Sequence, residues 1–155
     1  MKELKQFDGD LQCFADKVYS EMRTSNEIKI LGSIDSVVIE DLKSKGLLLE
    51  TTDIAITDKV IMKYYEHPKS AKGASIDKKR YNEVEIGINS PTNIYQDIES
   101  KSLVYVYSSR YDDKILKLII KPNYTINGNT VNLLNSIGIV PEYSFLNLAK
   151  YKKIK

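Results

Sequence analysis

The sequence predicts an α+β domain, with N-terminal helices followed by an antiparallel sheet of about four or five strands. Three observations carry this. Apolar residues recur at helical spacing in several segments before residue 90. From Ser102 onward, runs such as "SLVYVYSS" and "KILKLIIK" are rich in β-branched and aromatic residues. Turn signals, above all Asn127-Gly128, separate the runs.

Leu11, Phe14, Ala15, Val18, Tyr19 and Met22 fall on one helical face, with Asp10 placed as N-cap. "EIKIL" reads as a short strand. "SIDSVVIEDLKSKG" puts Ile34, Val37, Val38 and Leu42 on one face and ends at Gly46, a natural C-cap. "DIAI" is a further strand, after which Thr57 or Asp58 caps the next helix, "DKVIMKYYEH". Pro68 stops that helix, because the residue before a proline is pushed out of the α region. "KSAKGAS" is a loop. "DKKRYNEVEIGIN" gathers Tyr81, Val84 and Ile88 into a helix ending before "SPTN". The two β-rich runs then flank "RYDD", a hairpin turn, and Thr130 to Val140 supplies another strand. Pro141 stops or redirects it, and "SFLNLAKYKKIK" forms a short last element with a basic tail.

At 155 residues the chain has the size of one domain and can bury roughly 68–70% of its unfolded surface without disulfide or metal. Its single cysteine, Cys13, permits no internal disulfide, which fits a reducing cytoplasm. One His and one Cys do not make a nitrogen/sulfur metal site, so no metal and no cofactor are expected. The N-terminus is too polar for a signal peptide, and no apolar run approaches ~18 residues, so no membrane partner is expected. Charge is uneven. Residues 1–58 hold seven Lys/Arg against twelve Asp/Glu, a net of −5, and residues 59–155 hold sixteen against nine, a net of +7. Of the 11 tyrosines only Tyr19 lies in the first part. A basic, tyrosine-rich half suits nucleic acid, since cations neutralise phosphate and rings stack on bases. It equally suits strands filled by tyrosine and kept soluble by lysine.

The succession "ITDKVIMKYYEHPK", "YNEVEIGINSPTNIYQD", "SLVYVYSS", "KILKLIIKP" and "NTVNLLNS" resembles a phage-associated nuclease family of the barnase–EndoU–colicin–RelE-like fold. The likeness spans roughly residues 28–140. It implies one domain over 1–155, with a helical extension (1–26), a nuclease-like core (28–140) and a basic tail (141–155). "INSPTNI" matches the helix-ending piece, and "LKLIIK" the lysine-ended strand. Family members often carry a Lys-His pair in the short helix. Here Lys63-Tyr64 stand there, with His67 downstream. Where many members have Thr in the last strand, this chain has Asn132, with Thr130 beside it.

The resemblance implies a metal-independent RNA endonuclease, toxin-like, from a phage or another mobile element and acting in the host cytoplasm. Its expected partners are RNA and a host protein or cognate inhibitor. In such cleavage the ribose 2′-OH attacks the adjacent phosphorus, one group removes a proton, another returns one, and cations hold the developing charge. The candidate catalytic residues are His67, Lys63 and Lys121. Candidate substrate-binding residues are Arg110, Lys117, Thr130, Asn132, Tyr105 and Tyr107. Lys63 and His67 are i, i+4 on one helical stripe. A histidine at a helix C-terminus has its charged form favoured by the dipole, which suits a general acid. Against this stands the plain reading of a histidine that ends a helix before proline. Lys117, Ile119 and Lys121 share one face of their strand, as do Tyr105 and Tyr107 of theirs. Lys63, His67, Lys117 and Lys121 are therefore expected to converge on one groove. The rival is a non-catalytic protein on the same scaffold that inhibits a host nucleoprotein or defence complex, its acidic N-terminal part mimicking nucleic acid.

Overall fold

The computed structural model describes residues 4–66, 79–110, 113–141 and 150–155. His67, the lysines at 69, 72 and 78, and Tyr111 and Asp112 of the expected hairpin turn lie outside these. So does most of "SFLNLAK".

Among the described residues, four helices and one mixed sheet of eight strands make an α+β fold. In chain order these are β1 (Lys5–Gln6), α1 (Leu11–Glu21), β2 (Glu27–Ser33), α2 (Ser36–Ser44), β3 (Asp53–Thr57), α3 (Asp58–Glu66) and α4 (Tyr81–Asn89). Then come β4 (Asn93–Asp97), β5 (Leu103–Ser108), β6 (Lys114–Ile126), β7 (Asn129–Pro141) and β8 (Tyr151–Lys153). The sheet order is β1-β2-β3-β7-β6-β5-β4-β8. The antiparallel meander β4 to β7 is the sheet the sequence announces. The helices, however, are interspersed with strands rather than gathered at the N-terminus. β1, β2 and β3 extend the same sheet, and two pairings, β1 with β2 and β3 with β7, are parallel.

The helical caps follow local chemistry. Asp10 accepts a hydrogen bond from the Cys13 amide (2.8 Å), closing the first turn of α1. Asp35 does the same for α2 through Val37 N (2.9 Å). The Lys155 ammonium also donates to Asp35 (2.7 Å), and this pairing holds the Asp35 carboxyl below its ordinary range. Tyr81, Val84 and Ile88 of α4 are buried as their spacing requires, whereas Val37 of α2 is half exposed. Met22 lies beyond α1 as a left-handed C-cap (φ 55°).

Cross-strand partners share a face, and here the two faces differ in kind. Leu103, Tyr105 and Tyr107 of β5 and Leu116, Leu118 and Ile120 of β6 belong to the large core beneath the helices. α4 packs directly there: a Cβ on Gly87 would come within 2.9 Å of the Tyr107 Cβ and 3.2 Å of Leu118. Val104, Val106, Ile115 and Tyr151, with Tyr95 and Val140, form a smaller cluster on the opposite face.

One polar network is sealed inside this packing. Glu83, 1% exposed, accepts from Arg80 Nε (2.7 Å) and from the Ser109 hydroxyl (2.7 Å), while Arg80 also donates to Ser109 (2.9 Å). It ties the start of α4 to the residue that follows β5. Arg80 is thus a structural cation.

Candidate functional site

β3 runs into α3 without a loop, and this junction builds one wall of a cavity. About 400 Å³ opens between the first turns of α3 and the far end of the β6–β7 hairpin. That volume lies within the ~300–1,000 Å³ common for small-ligand sites. Asp58, Lys59 and Lys63 line it from α3, Asn26 from the turn before β2, and Tyr124, Thr125 and Asn127 from the hairpin. The hairpin reaches this position through two register shifts, at Ile119/Ile120 and at Lys121/Tyr124. Such bulges bend a strand pair and raise its local twist.

Lys59 and Lys63 are exposed, one helical turn apart on α3 and about 6 Å apart along its axis. Lys63 donates to the Asn135 carbonyl (2.9 Å), which fixes the ammonium at the wall; an ammonium carries three donors, so others remain for a ligand. Lys59 forms no hydrogen bond or ion pair among the described residues. Tyr124 is 41% exposed, and the Lys121 ammonium stands 5.9 Å from its ring centroid. An exposed ring flanked by cations can stack on a base while the cations meet phosphate.

Asp58, read from sequence only as a helix cap, has a larger part. Its buried Oδ2 accepts from Ser25 N (2.6 Å) and Glu27 N (3.2 Å), pinning the turn between α1 and β2 against α3. Its Oδ1 makes no hydrogen bond among the described residues, and the residue lines the cavity. A "TD" at a strand–helix junction carries no signal for this, because the partner amides lie more than thirty residues away.

The structure disperses the other sequence candidates. Lys63 lines the cavity and Lys121 stands beside it; Thr130 is the strand partner of the lining residue Thr125. Lys117 is elsewhere, on the face of the smaller cluster: its ammonium donates to the Tyr151 hydroxyl (2.8 Å) and sits 5.1 Å from that ring's centroid. Arg110 is exposed at the end of β5, beyond the Ser109 network. Tyr105 and Tyr107 face the helices, not a ligand. The Tyr105 hydroxyl accepts from Asp35 N (3.1 Å), and burial pushes its pKa up to about 12. Asn132 is fully buried and clips three backbone segments. Its Oδ1 accepts from Asn123 N (3.1 Å), and its Nδ2 donates to Thr51 O (2.7 Å) and Asp53 O (3.0 Å). The expected groove joining Lys63, Lys117 and Lys121 is therefore not assembled. Strand alternation does place Lys117 and Lys121 on one face, but the bulge after Lys121 bends the hairpin end toward α3 and leaves Lys117 behind. His67 is outside the described residues.

The role of Asn132 is open to test. Asn132→Ala leaves an amide and two carbonyls without their partner, at about 1–3 kcal/mol for a buried group left unmade. The urea midpoint should fall accordingly at unchanged slope. An unchanged midpoint would show that the clip contributes nothing to stability.

No three His, Cys, Asp or Glu side chains converge among the described residues. No described helix is long and apolar enough to cross a membrane. The chain matches no family model, no curated protein and no solved structure.

Proposed function

We infer that this chain binds RNA in the cavity between α3 and the β6–β7 hairpin and cleaves it without a metal, as a phage or mobile-element nuclease acting in the host cytoplasm. One observation carries the reading: Lys59 and Lys63 line a nucleotide-sized cavity that also holds the exposed ring of Tyr124 beneath Lys121. The lysines neutralise phosphate, Tyr124 stacks on a base, and neither act depends on sequence. Cleavage needs a proton acceptor near the 2′-OH and a donor to the leaving 5′-oxygen. Asp58, rigidly oriented by two backbone amides, takes the first role, and His67 takes the second.

The inhibitor reading rests on the acidic N-terminal part. Much of that charge already serves the fold. Asp10, Asp35 and Asp58 hold backbone amides, and Glu27 and Asp41 pair with Lys17 and Lys45. Such spent carboxylates are a poor imitation of a phosphate row, so the RNA reading is the stronger one.

Purified protein incubated with mixed RNA in EDTA should yield fragments ending in 2′,3′-cyclic phosphate. Binding should weaken with salt, and Lys63→Ala should lower affinity and kcat/KM with kcat little changed, since it meets ground-state and transition-state phosphate alike. RNA that stays intact and unbound while a host protein is held tightly would favour the inhibitor.

A further inference from the structure

We propose that the RNA site has a second subsite, so that the chain grips two successive nucleotides across the first turns of α3. This rests on the RNA reading above and deepens it. A second cleft, also about 400 Å³, opens on the other flank of α3 and is lined by Met22, Arg23, Lys59, Met62 and Tyr65, with Glu66 as its one acid. Lys59 lines both spaces. It is the shared post between them.

The partition separating the spaces is the turn from Met22 to Asn26. Both of these residues are non-glycine and left-handed (φ 55° and 56°). Such backbone costs on the order of 1–2 kcal/mol per residue and persists only where surrounding structure imposes it. At Asn26 it is imposed by Asp58, through Ser25 N and Glu27 N, and at Met22 it closes the C-terminus of α1. The strained turn presents Arg23 and Thr24 to the second cleft and Asn26 to the first. Arg23 is exposed and forms no hydrogen bond or ion pair among the described residues.

Each space therefore combines a ring with its own cation and a shared one. Tyr124 and Lys63 serve the first, Tyr65 and Arg23 the second, and Lys59 stands between. Tyr65 is held edge-on by Tyr19, with centroids 5.3 Å apart, and is still 36% exposed. A single-stranded backbone carries one phosphate per nucleotide, so a phosphodiester between two stacked bases meets Lys59 while Arg23 takes the next phosphate. The ligand this arrangement selects is single-stranded. A duplex keeps its bases stacked on each other and leaves neither tyrosine a partner.

The test uses the full chain, with uridine 3′-monophosphate and a 2′-O-methylated uridine hexamer, which has no free 2′-OH and resists cleavage. Wild type should hold the hexamer at least about tenfold more tightly than the mononucleotide, a charge-assisted contact being worth that much. Arg23→Ala should erase most of that ratio and reduce the slope of log affinity against log salt by about 0.7. Tyr65→Ala should lower the ratio without changing the slope. A ratio near one, or an Arg23→Ala variant with unaltered ratio and slope, overturns the second subsite while leaving the first intact. Failure of wild type to bind either ligand overturns the RNA reading itself.

Discussion

Glu83→Ala should destabilise the fold by about 3–5 kcal/mol, the usual cost of removing one member of a buried ion pair. The carboxylate is 1% exposed and receives Arg80 Nε and the Ser109 hydroxyl, both at 2.7 Å. Alanine would leave a half-buried guanidinium facing a cavity, and Ser109 would lose the acceptor that ties the end of β5 to α4. Glu83→Gln keeps the shape and an acceptor oxygen, so its loss should be clearly smaller. Urea unfolding of the two variants separates charge from shape, provided the slope stays constant. If Glu83→Ala unfolds within about 0.5 kcal/mol of wild type, the network is ornamental. None of this depends on what the protein binds.

How much of this could be read from the chain varies by element. α1 and α4 were legible because their buried residues repeat at helical spacing, and in α1 because Asp10 also stands as the cap where the helix begins. The β5–β7 part of the meander was legible because its strands are adjacent in sequence and divided by turn residues. The joining of β3 to β7 was not. It pairs Ile54 and Ala55 with Asn132 and Leu133, far apart in the chain, and no local pattern specifies a parallel pairing of that kind.

The candidate site shows the same boundary. Alternation correctly groups Tyr105 with Tyr107 and Lys117 with Lys121, yet it is silent about which face the helices cover. Tyr105 looked like a stacking residue and is core. Asn132 was a substrate candidate because the resemblance places a family Thr there, and it is a clip between backbone segments. The cavity depends on a bulge after Lys121 and on an Asp58 contact to a distant turn, neither of which has a signature in a single sequence. Lys63 and Lys121 could be found because lysine on a helix or at a strand end is visible as such.

If the chain cleaves RNA as proposed, His67→Ala and Asp58→Asn should each lower the rate by roughly 10²–10⁴, the usual contribution of a general acid or base. His67 is four residues beyond Lys63, a lining residue of the cavity, and it is the only histidine of the chain. Its loss removes a proton donor and no phosphate contact, so RNA affinity should stay close to wild type. Asp58→Asn is the sharper of the two changes. The amide oxygen can still accept from Ser25 N and Glu27 N, which keeps the turn in place, while the basic oxygen is gone. Stability should therefore hold as turnover falls. The two pH profiles should then differ: losing the base removes the acidic limb of the bell, and losing the acid removes the alkaline limb. Equal cleavage by wild type and His67→Ala would leave that histidine without a part in the chemistry. Full activity in Asp58→Asn would confine Asp58 to its structural role and require another base.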